Sequence, residues 1–217
     1  TAAAGTLSAT NYDFSFTAGT LTVSKAALTV TAEAKSRTYG DANPTLTATI
    51  SGYVNSESSS VVSGTPVLST AATATSSVGG YAITAALGTL SATNYSFSFT
   101  SATLTVGKAP LTVTADAKTK LYGAANPALT ATITGFKNSE TIAVLTGTVA
   151  LSTAVTTASG VASYAITATL GTLASGNYSF GFVDGALAVT KAPLTVTADA
   201  KSRAYGVAEP TFTATLT

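Results

Sequence analysis

The stretch Thr38–Pro44, TYGDANP, gathers a tyrosine hydroxyl, a carboxylate and a side-chain amide within a few positions. Asp41 and Asn43 together could ligate a cation or close a ligand loop. The same stretch returns as LYGAANP at Leu121–Pro127 and as AYGVAEP at Ala204–Pro210. A metal or catalytic loop needs its ligand oxygen in every working copy. Asp41 is replaced by Ala124 and then Val207, and Asn43 by Asn126 and then Glu209. What persists is Tyr39, Gly40 and Pro44, then Tyr122, Gly123 and Pro127, then Tyr205, Gly206 and Pro210. Glycine supplies positive φ for a sharp turn. Proline presets φ and costs little at the first residue of a strand. Tyrosine adds a large apolar ring whose hydroxyl can bond back to the chain. The stretch reads as a structural turn that leads directly into the strand LTATI.

Other chemistry is thin. The chain has no His and no Cys, so the commonest general base and all thiolate chemistry are missing. A zinc site would have to use carboxylates alone, and no D-x-[DN]-x-[DN]-G loop is present. Glu33, Asp116 and Asp199 follow the first strand of each copy and could hold calcium at a junction; the plainer reading is an exposed charge that limits edge pairing. Lys25, Lys108 and Lys191 recur where each copy ends. A lysine–asparagine cross-link assisted by Glu57 or Glu140 is one reading of them, and a solvated charge in a linker is the ordinary one. The absence of Gln removes a Thr–Gln ester. Asn94 and Asn177 sit in Asn-Tyr-Ser acceptor patterns, although asparagine before a long aromatic strand also reads as a turn residue. The expectation is a protein that is not an enzyme and has no cofactor and no metal.

Ten basic against nine acidic residues give a net charge of +1, and only 9% of residues are charged. That balance offers neither the basic stripe of a nucleic-acid binder nor a polybasic membrane surface. No apolar run approaches the ~18 residues of a membrane span. The opening TAAAGTLSAT has no basic or apolar leader pattern and no Met, so the chain is expected to be a segment of a longer mature protein.

The elements behind the turn follow from internal repetition. ALTVTAEAKSRTYG begins at Ala27, PLTVTADAKTKLYG at Pro110 and PLTVTADAKSRAYG at Pro193, each 83 positions after the last. The same offset joins Asn11-Tyr12, Asn94-Tyr95 and Asn177-Tyr178. The domain expectation is a partial repeat at 1–25, full repeats at 26–108 and 109–191, and a partial repeat at 192–217. Within a repeat the apolar period is two. Leu111, Val113 and Ala115 alternate with threonine, Tyr81, Ile83, Ala85 and Leu87 share a face, and Tyr95, Phe97 and Phe99 share another. Six or seven strands per repeat are expected. NSETIAVLTG, Asn138–Gly147, reads as one short helix with Gly147 as its stop, and NSESSSVVSG is a poorer helix former at the equivalent place. The fold class is mainly β: tandem small Ig-like β-sandwich domains, with a β-grasp-like sheet carrying one short helix per repeat as the alternative.

TYGDANP with LTATISGY, the segment GGYAITAALGTLSATNYSFSFTSATLTV and the junction GKAPLTVTA resemble the YGX-type MBG domain family across nearly the whole chain. That resemblance implies an extracellular, non-catalytic module occurring in tandem in large bacterial secreted or surface proteins often described as adhesins; it carries over no functional residue. The junctions VGKAPLTV and VTKAPLTV leave two or three residues between repeats, with no flexible spacer, and Pro110 and Pro193 stiffen the crossing. With strands of about ten residues, each repeat would add roughly 30–40 Å. The expected function is a stiff rod of end-to-end domains in an extracellular or cell-surface stalk, adhesin or filament. Its partners are neighbouring repeats, with self-association through strand edges also open. The alternative is a repeat that binds surface glycans or mucins by avidity; inward-alternating aromatics and the lack of Trp weigh against it.

Overall fold

A computed structural model describes residues 2–217. In the first full repeat the strands are β1 (Ala26–Ala32), β2 (Lys35–Thr38), β3 (Ala48–Ser51), β4 (Val67–Thr70), β5 (Gly79–Ala86), β6 (Tyr95–Thr100) and β7 (Ala102–Gly107). In the second they are β8 (Ala109–Ala115), β9 (Lys118–Leu121), β10 (Ala131–Thr134), β11 (Ala150–Ser152), β12 (Ala162–Thr169), β13 (Tyr178–Val183) and β14 (Gly185–Thr190). A last pair, β15 (Val196–Ala198) and β16 (Ala214–Leu216), follows.

Each repeat folds into two sheets. The three-stranded sheet runs β3-β1-β6 in the first repeat and β10-β8-β13 in the second. The four-stranded sheet runs β2-β7-β5-β4 and β11-β12-β14-β9. The central strand of the smaller sheet takes one antiparallel and one parallel partner: Leu28 lies opposite Phe97 in β6, and Val30 opposite Ile50 in β3. In the larger sheet β12 is antiparallel to β11 and β14, while β14 is parallel to β9.

The period-two pattern explains which residues face inward. Leu28, Val30 and Ala32 of β1 are buried, as are Leu111, Val113 and Ala115 of β8, and the threonines between them are less so. In the second repeat Ala115 packs with Ile166, Ala168, Leu187 and Val189 of the larger sheet, with Phe182 against them. In the first, Ala32 packs with Ile83 and Leu104. The core therefore lies between the two sheets, and each fully buried leucine or isoleucine contributes about 1.5–3 kcal/mol. The chain divides into two compact units. One comprises Thr1–Arg37, Asn43–Thr73 and Gly80–Thr105, and the other Thr38–Ala42, Ala74–Gly79 and Val106–Thr217.

Several expectations are corrected. The segment Asn138–Gly147 contains no α-helix, only a three-residue 3-10 turn at Ile142–Val144. The poorer helix former before it makes the same turn at Ser59–Val61. Asn138 and Ser139 have φ of 53° and 59°, and Asn55 and Ser56 have 54° and 59°. These left-handed residues cannot open a right-handed helix, so the loop geometry overrides propensity. Among the described residues no strand exceeds eight residues, short of the ten behind the length estimate. Pro44 and Pro127 do not start a strand: β3 begins at Ala48 and β10 at Ala131. The intervening Leu46 and Leu129 turn into their cores instead.

Residues 2–25 form no strand. Their counterparts are β6 and β7, which pair with β1, β5 and β2 of the same repeat. The corresponding partners of 2–25 are not in this sequence. At the other end β15 and β16 keep the register of β8 and β10, with Ala198 opposite Ala214 as Ala115 is opposite Ala131.

Candidate interaction site

The Tyr-Gly turn leaves a strand, reverses on its glycine and is clamped from below. Tyr39 donates its N–H to the Gly107 carbonyl at 2.8 Å, and Tyr122 does the same to Thr190 at 2.8 Å. Gly40, Gly123 and Gly206 have φ of 83°, 82° and 83°. This is the left-handed region that other residues adopt only at a cost. The asparagine amides close the turn from the far side: Asn43 Nδ2 donates to Ala72 O, and Asn126 Nδ2 to Val155 O, each at 2.6 Å. They are structural groups.

A cation two positions before each tyrosine completes the clamp. Arg37 Nε donates to Asn43 Oδ1 at 2.8 Å, and its guanidinium also reaches the Thr73 carbonyl. Lys120, buried at 7% exposure, donates to the carbonyls of Ala124 at 3.0 Å and Thr156 at 2.6 Å. Arg203 pairs with Glu209 at 2.9 Å and donates to Val207 O. Recurrence two residues before Tyr-Gly is the sequence signal for this cation.

The turn residues differ sharply in what surrounds them. Tyr39 is 3% exposed, Tyr122 is 50% exposed and Tyr205 stands fully in solvent. Residues 38–42 belong to the second compact unit, and there Tyr39 finds its partners. Its ring lies edge-on to Tyr178, with centroids 5.5 Å apart, and Phe136 meets Tyr178 from another direction at 5.7 Å. Glu140 binds both hydroxyls: Tyr39 Oη donates to Oε1 at 2.6 Å, and Tyr178 Oη donates to Oε2. Tyr178 Oη in turn accepts the Lys137 N–H at 2.9 Å. Asp41 pairs with Lys137 Nζ at 3.0 Å. A Cβ added to Gly40 would come within 2.3 Å of Lys137 Cβ, so the glycine also permits close approach.

The first unit carries the equivalent set of residues. A pocket of about 590 Å³ is lined by Lys25, Val54, Asn55, Glu57, Asn94 and Tyr95 among others. Val54, Asn55, Glu57, Asn94 and Tyr95 each stand 83 positions before Lys137, Asn138, Glu140, Asn177 and Tyr178. Tyr95 is buried, donates to Glu57 Oε2 and accepts the Val54 N–H at 3.1 Å, reproducing the lower half of the second site. Glu57 Oε1, the counterpart of the oxygen that binds Tyr39, has no partner among the described residues.

These contacts have a pH signature. Burial, followed by the bond to Glu140, raises the Tyr178 hydroxyl from its ordinary value of 10.0 to about 12. The bond to Glu140, followed by burial, raises Tyr39 as well. A raised pKa means stability that is fully present below the unfolded value near 10 and lost as pH climbs through the folded value. Alkaline titration of unfolding is therefore expected to show a flat profile to pH 10, then a loss on the order of 1–2 kcal/mol towards pH 12. Tyr178→Phe should reduce that loss, leaving the part that Tyr39 contributes.

The junction and edge residues occupy plainer positions. Lys25 Nζ bonds Ala92 O at 3.1 Å and Lys108 Nζ bonds Ser175 O at 2.8 Å, while Lys191 is exposed. Pro110 lies exposed in β8 opposite Ser179, and Pro193 is exposed outside any strand. Asn177 Oδ1 accepts the Val78 N–H at 3.1 Å. Glu33 binds Thr47 and Lys35, Asp116 binds Thr130 and Thr132, and Asp199 binds Thr213 and Thr215. Threonine hydroxyls are the first cause that holds all three carboxyls below their usual range. Among the described residues no group of three or more His, Cys, Asp or Glu could hold a metal, and no helix is long and apolar enough to cross a membrane.

No curated protein matches the chain. A family model described as MBG domain (YGX type) matches it twice, over residues 28–105 and 111–188, and each match contains one complete Tyr-Gly turn and one complete Glu–Tyr receptor. The two matches together cover well over half of the chain, which therefore belongs to the MBG domain (YGX type) family, as two tandem copies.

Proposed function

We propose that this chain is a non-catalytic repeat segment of an extracellular or cell-surface bacterial protein, a stiff rod of end-to-end domains serving as stalk, adhesin shaft or filament. The observation that carries the reading is the junction. β7 ends at Gly107 and β8 begins at Ala109, so a single residue, Lys108, separates consecutive domains. A linker that short has no room for the flexible-coil behaviour of a Gly/Ser spacer. Burial of Tyr39 in a unit made largely of the following repeat is further support, because it ties a turn of one copy to the receptor of the next.

A rod of this kind works by holding distance. Low charge and the absence of His and Cys suit a module whose task is spacing and leave little for chemistry. Electron microscopy of the isolated chain at low concentration is the test. Straight particles whose length grows by a constant increment when further repeats are added support the reading. Particles that bend freely between repeats would overturn it.

A further inference from the structure

We infer that each full repeat bears tension: its first and last strands form a parallel clamp that a pull along the chain loads in shear. The role, though not the clamp itself, rests on the reading of the chain as a shaft.

In the second repeat the chain enters at Ala109 and runs through β8 and β9 to Leu121, and it leaves through β13 and β14 to Thr190. These two ribbons lie side by side in one register. Ala109 pairs with Tyr178, Leu111 with Phe180 and Val113 with Phe182 in the smaller sheet. Lys118 pairs with Leu187, and Leu121 with Thr190, in the larger. Both pairings are parallel, and one sequence offset joins every pair. The ribbons change sheets together, one at Asp116–Ala117 and the other at Asp184. Backbone bonds close both ends: Ala109 N–H donates to Asn177 O at 3.0 Å, and Tyr122 N–H to Thr190 O at 2.8 Å. Thr190 Oγ1 adds a bond to the Lys120 carbonyl at 3.2 Å. The tyrosine of the Tyr-Gly turn is thus the last rung of the clamp.

Parallel pairing decides the direction of load. The entry at Ala109 lies beside Tyr178, and the exit at Thr190 lies beside Leu121, at opposite ends of the paired ribbons. Tension therefore pulls the first ribbon from its start and the second from its end, along the strands. The rungs lie across that pull, evenly spaced as in any parallel pair, and share it. Antiparallel terminal strands would bring entry and exit to one end, and the pair would open rung by rung. The core adds to the resistance. Leu111, Val113, Leu187 and Val189 are buried, and a slip of one residue would turn such side chains to the wrong face. The first repeat repeats the arrangement. Ala26 pairs with Tyr95 and Val30 with Phe99 in parallel, β2 lies beside β7, and Ala26 N–H donates to Asn94 O at 3.0 Å.

The experiment is single-molecule force spectroscopy on the full 217-residue chain, which has no Cys of its own to compete with introduced handles. Lys108→Cys with Lys191→Cys pulls the second repeat along its ribbons. Lys108→Cys with Gly176→Cys grips both ribbons at one end and peels them apart. A Cβ at Gly176 meets nothing within 4 Å, so the handle displaces no neighbour. Thermal unfolding checks that the two proteins are equally stable. At one pulling speed the first should unfold at about twice the force of the second or more, because forced unfolding reads a barrier and not the equilibrium free energy. If Gly176→Cys lowers the melting temperature, Gly160→Cys with Lys191→Cys supplies another peeling pull. That handle also meets open space, and it draws β12 from β14 at the end where Ala162 pairs with Val189. Equal forces in the two directions overturn the proposal, and so does a repeat that yields more readily along its ribbons. Equal forces beside straight particles in the microscope would leave the rod standing. Strong direction dependence in freely bending particles would keep the clamp and reject the rod, so the two fail separately.

Discussion

Replacing Gly147 by alanine is expected to destabilise the second repeat by more than about 3 kcal/mol, the scale of strain plus a backbone clash. Its φ is +75°, and a Cβ there would lie 2.0 Å from the carbonyl oxygen of Thr172 and 2.5 Å from the carbonyl carbon. Neither neighbour can rotate away, because both are backbone. Thr146 and Ala174 form a bridge immediately beside this contact, with Thr146 N–H to Ala174 O at 3.1 Å and the return bond at 2.9 Å. Opening the contact would break that bridge as well. Gly64 repeats the arrangement against Thr89, so Gly64→Ala is expected to do the same to the first repeat. Gly160→Ala is the control: a Cβ there meets nothing within 4 Å, and the change should stay within about 0.5 kcal/mol. Thermal unfolding of the three variants checks the ranking. A Gly147→Ala protein that melts with the parent would show that this loop packs differently.

Tyr178→Ala is expected to cost about 3–5 kcal/mol, the usual range for truncating a buried aromatic. Tyr178 is 1% exposed and its ring meets both Tyr39 and Phe136. Tyr178→Phe keeps the ring but strands the Lys137 N–H and one oxygen of Glu140, and should cost about 1–2 kcal/mol. Two tandem domains need not unfold in a single step, so one free energy for the whole chain is a poor readout. Amide hydrogen exchange resolves the effect by residue. Protection should fall at β13 and β8, which pair from Tyr178–Ala109 to Val183–Thr114, and stay unchanged in β1 and β3. Equal losses in the first repeat would contradict the assignment of Tyr178 to the second unit.

The sequence carried a different message at each of these two positions. Gly147 is legible as a special residue, although its place at the end of NSETIAVLTG suggests the stop of a helix. The left-handed Asn138 and Ser139 rule that helix out, and the glycine serves a close backbone approach instead. Tyr178 is legible in the sequence only as the counterpart of Tyr95, 83 positions on. Alternation places Tyr95 inward and both tyrosines are buried, but it says nothing of their hydroxyls. Phe99 shows the limit of alternation from the other side, since the pattern points it inward and it is 37% exposed.

What the sequence determined by itself is everything that depends on neighbours along the chain. The exact 83-residue return of motifs marks the repeats. Alternation in LTVTA predicts strands whose Leu and Val are buried, and Tyr-Gly demands a turn with positive φ at Gly40 and Gly123. These are local properties, set by side-chain direction every second residue and by the steric freedom of glycine. The tertiary structure alone decided what the turn is for. Glu140 lies 101 residues from Tyr39 and 38 from Tyr178, and no local pattern distinguishes it from a solvated acid in a polar loop. Only folding brings one carboxylate, that of Glu140, between two hydroxyls. Long-range pairing is a property of the assembled surface, so the site became legible only where the loops meet.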